Sequence, residues 1–139
     1  MPEHRSSARV LVADDEADVR DLLSEYLSGF GYEILMIGTA IGALGMVQSH
    51  HPDVVFFDLG MSSAVDGESV VAAIARDAPV IIVSALRDLE RARAALQSGA
   101  FDFVMKPFRL GHVRRVVEAA LTGGPPRADD MRYLESSSS

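Results

Sequence analysis

The stretch RVLVADDEADVRDLLSEYL, residues 9–27, sets the architecture of this chain. Its first five residues, Arg9–Ala13, are apolar after the leading arginine, as expected of a strand that is buried on both faces of a sheet. The acidic residues at 14–16 lead into a segment of helical period, whose apolar positions are Val19, Leu22, Leu23, Tyr26 and Leu27. The stretch therefore predicts a strand followed at once by an amphipathic helix over 17–29.

The same order of strand and helix recurs four more times along the chain. The further predicted strands are 32–37, 54–57, 80–83 and 101–105, and the further predicted helices are 40–50, 67–76, 87–98 and 110–121. Thr39 is a candidate N-cap for the second helix. Five strands alternating with five helices predict an α/β fold in three layers, with a parallel sheet covered by helices on both faces.

Length and composition are typical of one globular domain. The chain has 139 residues, of which 48% are hydrophobic and 24% charged, and it contains no cysteine, so we expect neither disulfides nor a thiolate metal site. Its apolar runs are too short for the roughly 20 residues that cross a bilayer, and no signal peptide precedes the first strand. We therefore expect a cytoplasmic protein without a membrane partner. The net charge of −7 argues against direct binding of nucleic acid by this domain.

Two flanking segments are predicted to lie outside the domain, which we place at residues 8–122. Residues 1–7 form a short polar N-terminal extension. Residues 123–139 begin with Gly-Gly-Pro-Pro and end with four serines, a composition that predicts a flexible linker or tail whose end is of a kind often added for expression.

Polar residues stand where four of the five predicted strands end. Asp14 and Asp15 follow the first strand, Asp58 the third, Ser84 the fourth and Lys106 the fifth. Because parallel strands end at one edge of a sheet, and ligands of such folds bind outside that edge, we expect these side chains to converge. Lys106 is the only lysine among 13 basic residues, which indicates a specific need for an ammonium group at that position.

Each of these residues also has a plainer interpretation when it is taken alone. An aspartate after a strand can cap the next helix, Ser84 can belong to a turn, and Lys106 can be a solvated charge. Together they indicate more, because clustered carboxylates repel one another unless a cation lies among them. Mg²⁺ prefers such oxygen ligands, and carboxylates, hydroxyl and ammonium with Mg²⁺ are the groups that phosphoryl transfer requires.

Five short motifs, in order, carry a resemblance to a known family. They are Val12-Ala13-Asp14-Asp15-Glu16, Phe57-Asp58-Leu59-Gly60-Met61 with Asp66-Gly67 beyond, Val83-Ser84-Ala85, Gly99-Ala100 and Lys106-Pro107-Phe108. With these motifs the chain resembles, over about residues 8–122, the receiver domain of two-component response regulators. The resemblance implies the flavodoxin-like strand order 2-1-3-4-5.

The resemblance also implies a role for each residue at the sheet edge. Asp58 would accept a phosphoryl group from the phosphohistidine of a sensor histidine kinase or phosphotransfer protein. The implied ligands of Mg²⁺ (or Mn²⁺) are Asp14, Asp15, Asp58 and the main-chain carbonyl of Gly60. Residues implied to contact the phosphoryl group or to move with it are Ser84, Lys106 and Phe103, and a cis peptide is implied before Pro107.

Phosphorylation would then act on other parts of the system. The resemblance implies that the face formed by the fourth helix, the fifth strand and the fifth helix switches state. That face would control an output domain or partner protein, or a phosphorylation-dependent homodimer.

Three positions depart from the usual family pattern. Ser62 stands where the family commonly has proline, and the loop over 60–65 is one residue longer than usual. Phe103 lacks the hydroxyl of the commoner tyrosine. Leu86, two residues after Ser84, is apolar at a position that often controls the access of water to the phosphate, so we expect slow loss of the phosphoryl group.

Competing interpretations explain fewer of these features. A Mg²⁺-dependent phosphohydrolase usually has a second acid two residues after its nucleophile, where this chain has Gly60. The glycine-rich residues 38–45 lack the Gly-Lys-Ser/Thr of a nucleotide-binding loop. A receiver domain that only binds partners would not need all the residues for phosphoryl transfer that this chain has at its strand ends. The pair His50-His51 is explained by the end of a helix, since adjacent helical positions face different ways.

Overall fold

The computed structural model of the chain describes residues 7–61 and 67–123. Within them five strands alternate with five helices. The strands are β1 (Arg9–Ala13), β2 (Glu33–Ile37), β3 (Val54–Asp58), β4 (Val80–Ser84) and β5 (Asp102–Met105). The helices are α1 (Ala17–Ser28), α2 (Ala40–His50), α3 (Gly67–Ala75), α4 (Leu89–Gln97) and α5 (Leu110–Thr122).

The strands form one parallel sheet in the order β2-β1-β3-β4-β5, so both the predicted architecture and the order implied by the resemblance are confirmed. Every residue of β3 and β4 is buried. Their continuous apolar sequence satisfies this environment, because helices cover both faces of the sheet. β2 and β5 are the two outermost strands of the sheet.

Alternate side chains of the strands supply two hydrophobic clusters, one on each face of the sheet. On one face, buried residues of the strands meet those of α2, α3 and α4, among them Leu11, Phe57, Ile82 and Phe103. On the other face they meet α1 and α5, with Val12, Phe56, Leu23 and Val116 among the buried residues. Since the core is built from the strand interiors, the strand ends are left for polar side chains.

The predicted helices differ from the observed ones mainly at their ends. Thr39 caps α2 as predicted, its Oγ1 accepting a hydrogen bond from the N–H of Gly42 at 3.0 Å. The fourth helix, predicted to begin at residue 87, begins instead with a separate 3₁₀ turn over Leu86–Asp88 and continues as α4. Periodicity does not detect this change, because a 3₁₀ turn and an α-helix place apolar residues similarly over one turn.

One apolar residue of the predicted α1 face lies outside the core. Leu23 and Leu27 are fully buried, but Leu22 is 43% exposed. The apolar side of this helix is therefore broader than the surface that the sheet covers.

Parts of the chain lie outside the described residues, and several predictions fall on them. They are residues 1–6 of the predicted extension, residues 62–66 of the longer loop with Ser62, and residues 124–139 of the predicted tail. Within the described part of the chain, no helix is long and apolar enough to cross a membrane.

Candidate functional site

The carboxyl ends of the strands bring the predicted acidic residues together. Asp14 and Asp15 directly follow β1, and Asp58 is the last residue of the neighbouring strand β3. Oxygen atoms of these three carboxylates all lie within 4.8 Å of one another. Residues that are 43 positions or more apart in sequence therefore share one site at the edge of the sheet, as the strand ends predicted.

Asp14 is the most deeply enclosed acid of this cluster, with 1% of its surface exposed. Its Oδ1 accepts a hydrogen bond from the N–H of Glu16 at 2.8 Å. Its Oδ2 is buried and accepts no hydrogen bond from the described residues, although Nζ of Lys106 lies 3.4 Å away. The pKa of the Asp14 carboxyl is raised to about 6, chiefly by burial; the Glu16 N–H opposes this rise and the charge of Asp58 adds to it.

Neither acid of the pair caps the following helix. The N-cap of α1 is Glu16, and it makes no side-chain capping bond. Asp15 is exposed, and its carboxylate belongs to the acidic cluster. The helix-cap interpretation, which was open for either aspartate taken alone, is therefore wrong.

Asp58 is buried at the end of β3, with one of its oxygens facing a backbone donor and the other a cation. Oδ1 accepts from the N–H of Gly60 at 2.9 Å, and Oδ2 lies 3.4 Å from Nζ of Lys106. A Cβ atom at Gly60 would lie only 3.3 Å from Oδ1 of Asp58. Glycine at this position therefore lets the backbone approach the carboxylate closely.

Lys106 directly follows β5, and its ammonium group supplies positive charge to the site. Its Nζ lies 3.4 Å from Asp58, 3.4 Å from Asp14 and 3.7 Å from Oε1 of Glu16. Partial burial lowers the pKa of the ammonium group, but the attraction of these carboxylates is larger in sum and raises it. Lys106 therefore stays charged at neutral pH.

The remaining predicted site residues lie on β4, on β5 and just beyond them. Ser84 is fully buried, and its hydroxyl donates to the carbonyl of Ala85 at 2.9 Å. Phe103 is 2% exposed and packs in the core cluster shared with α4. The Lys106–Pro107 peptide is cis.

Two residues near the cluster were missed by the sequence interpretation as parts of the site. Glu16 contacts Lys106, and the motif of three consecutive acids was a usable signal for it. Arg20 donates from Nη1 to the main-chain carbonyl of Asp14 at 2.6 Å. No sequence signal marked Arg20, because a polar residue on a helix gives no indication of which loop it reaches.

The paired histidines lie at a helix end, as their position before Pro52 predicts. His51 is the C-cap of α2 in the left-handed conformation, with φ of 51°. The Nδ1 atom of His50 lies 2.7 Å from Oγ of Ser49. Both histidines are thus accounted for by the C-terminus of α2.

The donor set of the acidic cluster fits a hard divalent cation. All three side chains offer carboxylate oxygens, the ligands that Mg²⁺ prefers. The buried Oδ2 of Asp14, which lacks a hydrogen bond within the described residues, is an atom that a cation would satisfy. The fit therefore rests on the chemistry of the donors and on this unsatisfied oxygen.

Comparison with known proteins agrees with the geometry. Residues 10–118 match the family model described as response regulator receiver domain. The chain is 33% identical over 116 residues to the nitrogen assimilation regulatory protein NtrX of Azorhizobium caulinodans, covering 81% of this chain and 26% of that protein. It is 36% identical over 110 residues to the probable transcriptional regulator ycf27 of Galdieria sulphuraria, covering 78% of this chain and 43% of that protein.

Solved structures show the same relationship in three dimensions. The receiver domain of NtrX from Brucella abortus superposes with a TM-score of 0.76 at 35% identity, covering 81% of this chain and 98% of that one. A receiver domain protein from Clostridium thermocellum gives a TM-score of 0.77 at 26% identity, covering 84% of this chain and 95% of that one. This chain spans less than half the length of the two full-length regulators that it resembles. On its sequence, its fold and the residues at its sheet edge, the chain belongs to the receiver domain family of two-component response regulators.

Proposed function

We propose that this receiver domain accepts a phosphoryl group on Asp58 and thereby switches an output partner. The single observation that carries the proposal is the juxtaposition of three carboxylates with the ammonium of Lys106 at the carboxyl edge of the sheet. The donor is a phosphohistidine of a sensor histidine kinase or phosphotransfer protein, the partners expected of a receiver domain. The reaction takes place in the cytoplasm.

The transfer requires a carboxylate nucleophile and a means of stabilising charge. A carboxylate oxygen of Asp58 forms a bond to phosphorus as the bond from phosphorus to the donor imidazole nitrogen breaks, which leaves an aspartyl phosphate and a free histidine. Lys106 is already 3.4 Å from Asp58 and can follow the transferred oxygens as a mobile positive charge. The N–H of Gly60 fixes the orientation of the Asp58 carboxylate before the reaction.

The acidic cluster would hold the cation that such transfers use. Asp14, Asp15 and Asp58 are the side-chain ligands, and the main-chain carbonyl of Gly60 is the proposed fourth protein ligand. When bound, Mg²⁺ (or Mn²⁺) offsets the negative charge of the carboxylates and of the phosphoryl oxygens.

Ser84 and Phe103 are the proposed link between the phosphoryl group and the rest of the domain. The hydroxyl of Ser84 is donated to the neighbouring carbonyl of Ala85, and it can donate to a phosphoryl oxygen instead only if Ser84 rotates or moves. Such a movement changes the packing space beside Phe103, which is buried in the cluster that contains α4. The face formed by α4, β5 and α5 would then present a different surface to its partner.

The output lies in a different domain or protein. Relatives such as ycf27 are named transcriptional regulators, and the chain matches less than half of their length. We propose that the switched face contacts an output domain, a partner protein or a second copy of the chain. The net charge of −7 favours these partners over nucleic acid for the receiver itself.

Phosphorylation of Asp58 can be tested with a small phosphodonor in place of the kinase. Incubation with acetyl phosphate and Mg²⁺ should add about 80 Da, one phosphoryl group, to the intact mass. The adduct should be absent without a divalent cation and absent in Asp58→Asn. A protein that gains no mass under these conditions, or an Asp58→Asn variant that gains the same mass, would contradict the proposal.

A further inference from the structure

Asp14 is held in place by its main chain as well as by its carboxylate. Its N–H donates to the carbonyl of Ile37 on β2 at 3.1 Å, and its own carbonyl accepts from Nη1 of Arg20 at 2.6 Å. Its Oδ1 accepts from the N–H of Glu16 at 2.8 Å. Of the polar atoms of Asp14, only Oδ2 takes part in no hydrogen bond with the described residues, and it is the atom that lies beside Lys106.

The anchor of the Asp14 main-chain carbonyl comes from the side chain of Arg20. The last paired position of β1 with β2 is Ala13 with Ile37, so the carbonyl of Asp14 lies beyond the end of the strand ladder. Strand pairing therefore does not satisfy this carbonyl, and the guanidinium of Arg20 does.

The same guanidinium also lies against the loop that follows β2. A Cβ atom at Gly38 would lie 3.3 Å from Nη1 of Arg20, so the absence of a side chain at Gly38 leaves room for the guanidinium. Arg20 is thus held between the two loops that follow β1 and β2. The planar fork of arginine, with several donors in fixed directions, suits such a position better than a single ammonium does.

We propose that Arg20 is a positioning residue of the phosphorylation site, which fixes the main chain of Asp14 and so holds the Asp14 and Asp15 carboxylates ready for the cation. The inference rests on the proposed function and names a residue on which the affinity of the site depends. Arg20 acts through Asp14 and does not touch the transferred group.

A charge effect of Arg20 and a positioning effect of Arg20 predict changes of opposite sign in the affinity for Mg²⁺ when the residue is replaced. If Arg20 acted only as a cation near an acidic site, its removal would make the site more negative and tighten the binding of Mg²⁺. If Arg20 positions Asp14, its removal loosens the ligand loop and weakens binding, as the loss of groups that orient metal ligands commonly does. The direction of the change therefore distinguishes the two roles.

The test measures the affinity for Mg²⁺ by isothermal titration calorimetry in wild type, Arg20→Met and Arg76→Met. Arg76 is exposed and directly follows the end of α3, a helix that starts near the acidic edge and ends near the opposite one, so its variant is a control for the loss of one positive charge. We expect Arg20→Met to bind Mg²⁺ about tenfold more weakly than wild type. We expect Arg76→Met to remain within about twofold of wild type, since its charge is distant and screened.

Phosphorylation kinetics provide a readout that loss of stability alone would not change. The concentration of Mg²⁺ that gives half the maximal rate of phosphorylation by acetyl phosphate should rise about tenfold in Arg20→Met, as its affinity falls. The rate at saturating Mg²⁺ should change less, because Asp58 and Lys106 are intact. Equal or tighter binding of Mg²⁺ by Arg20→Met would overturn the inference.

A second variant keeps the test decisive if Arg20→Met does not fold. Arg20→Lys retains the charge but replaces the fork with a single rotatable ammonium, so positioning predicts weaker binding of Mg²⁺ than in wild type. Unchanged or tighter binding in Arg20→Lys would then overturn the inference. A wild-type protein that binds no Mg²⁺ and gains no phosphoryl group would instead contradict the proposed function itself.

Discussion

Burial of Asp14 gives the metal-free site a defined response to pH. Burial raises the pKa of this carboxyl from its ordinary value of 3.8 to about 6. Between these two values the folded protein binds the proton more tightly than the unfolded chain does, so stability from this group falls as the pH rises through that window. At pH values well above 6 the buried charge is fully present and opposes folding.

Asp14→Asn should therefore stabilise the protein in the absence of metal. The amide can still accept the hydrogen bond from Glu16, while the buried charge and its repulsion from Asp58 are lost. We expect the free energy of unfolding at pH 7.5 to rise by about 1–2 kcal/mol, less than the full pKa difference implies because the amide nitrogen that replaces Oδ2 faces the ammonium of Lys106. At pH 4.5 the gain should be smaller, because wild-type Asp14 is then mostly protonated.

The measurement is urea denaturation of both proteins with a chelator present, at the two pH values. Asp77→Asn is a suitable control, since Asp77 is exposed and lies just after the end of α3. An Asp14→Asn protein that is less stable than wild type at pH 7.5 would show that burial does not oppose the charge of Asp14.

Leu86 is the residue that we expect to influence the lifetime of the phosphoryl group. This residue is 60% exposed and begins the 3₁₀ turn, two residues after Ser84. An apolar side chain at this position cannot orient an attacking water, whereas a carboxylate can accept its hydrogen bond.

We predict that phosphorylated Leu86→Glu loses its phosphoryl group at least about threefold faster than wild type, about 0.7 kcal/mol in barrier height. Intact-mass spectra recorded over time, after removal of acetyl phosphate, give both decay rates. Leu86→Met serves as a matched apolar control that should decay like wild type. Equal rates for wild type and Leu86→Glu would refute the prediction.

At the scale of the secondary-structure elements, α2 contains two glycines in opposite situations. A Cβ at Gly42 would lie 2.6 Å from Cγ1 of Ile37 and 2.7 Å from Oγ1 of Thr39, closer than atoms can approach. At Gly45 a Cβ would have no neighbour within 4 Å. Gly42 is therefore required by the packing of α2 on the end of β2, and Gly45 is not.

The same substitution should therefore change stability in opposite directions within one helix. Gly45→Ala should raise the free energy of unfolding by about 0.5–1 kcal/mol, because alanine loses less backbone entropy in a helix. Gly42→Ala should lower it by about 1–3 kcal/mol, since the new methyl group forces Ile37 or the Thr39 cap to move. Thermal and urea unfolding measure both changes, and each variant serves as the control for the other. Stabilisation by Gly42→Ala would contradict the observed packing.

The helix and strand boundaries show how accurately local sequence patterns predict the secondary-structure elements. Apolar spacing locates all five helices and all five strands to within about two residues of their observed bounds. The 3₁₀ turn before α4 and the exposure of Leu22 were not predicted. Both depend on where a neighbouring element stops covering a helix, and the sequence of the helix itself does not contain that information.

At the scale of the whole molecule, the proposed switch joins the acidic edge to one face of the domain. Phosphorylation of Asp58 should alter amide hydrogen exchange chiefly in α4 and β5. Ser84 lies on β4, the strand between Asp58 on β3 and β5, and Phe103 on β5 packs in the cluster that contains α4. Exchange in α2 and β2, at the other end of the sheet, should change least. Asp58→Asn treated with the same reagents is the control.

The measurement is hydrogen exchange with mass spectrometry at saturating acetyl phosphate and Mg²⁺, with sedimentation velocity on the same samples. A rise in sedimentation coefficient on phosphorylation would identify a second copy as the partner of the switched face. If the changes in exchange were confined to the acidic cluster, or equal over all helices, the proposed path through Ser84 and Phe103 would be wrong.

Local sequence patterns determine which segments are strands and helices and which polar residues follow the strands. They do so because burial on both faces and helical period leave a direct record in the order of apolar residues. With parallel pairing, these facts already place Asp14, Asp58 and Lys106 at one edge of the sheet.

Only the tertiary structure decides what those residues do to one another. Three features of the site depend on distances of a few ångströms between different segments of the chain. They are the unsatisfied oxygen of Asp14, the raised pKa of its carboxyl and the contact from Arg20. Strand order and register fix those distances, and neither is a local property of the chain. Electrostatic and hydrogen-bond energies change steeply over such distances, so the chemistry of the site could be outlined from the sequence but not measured from it.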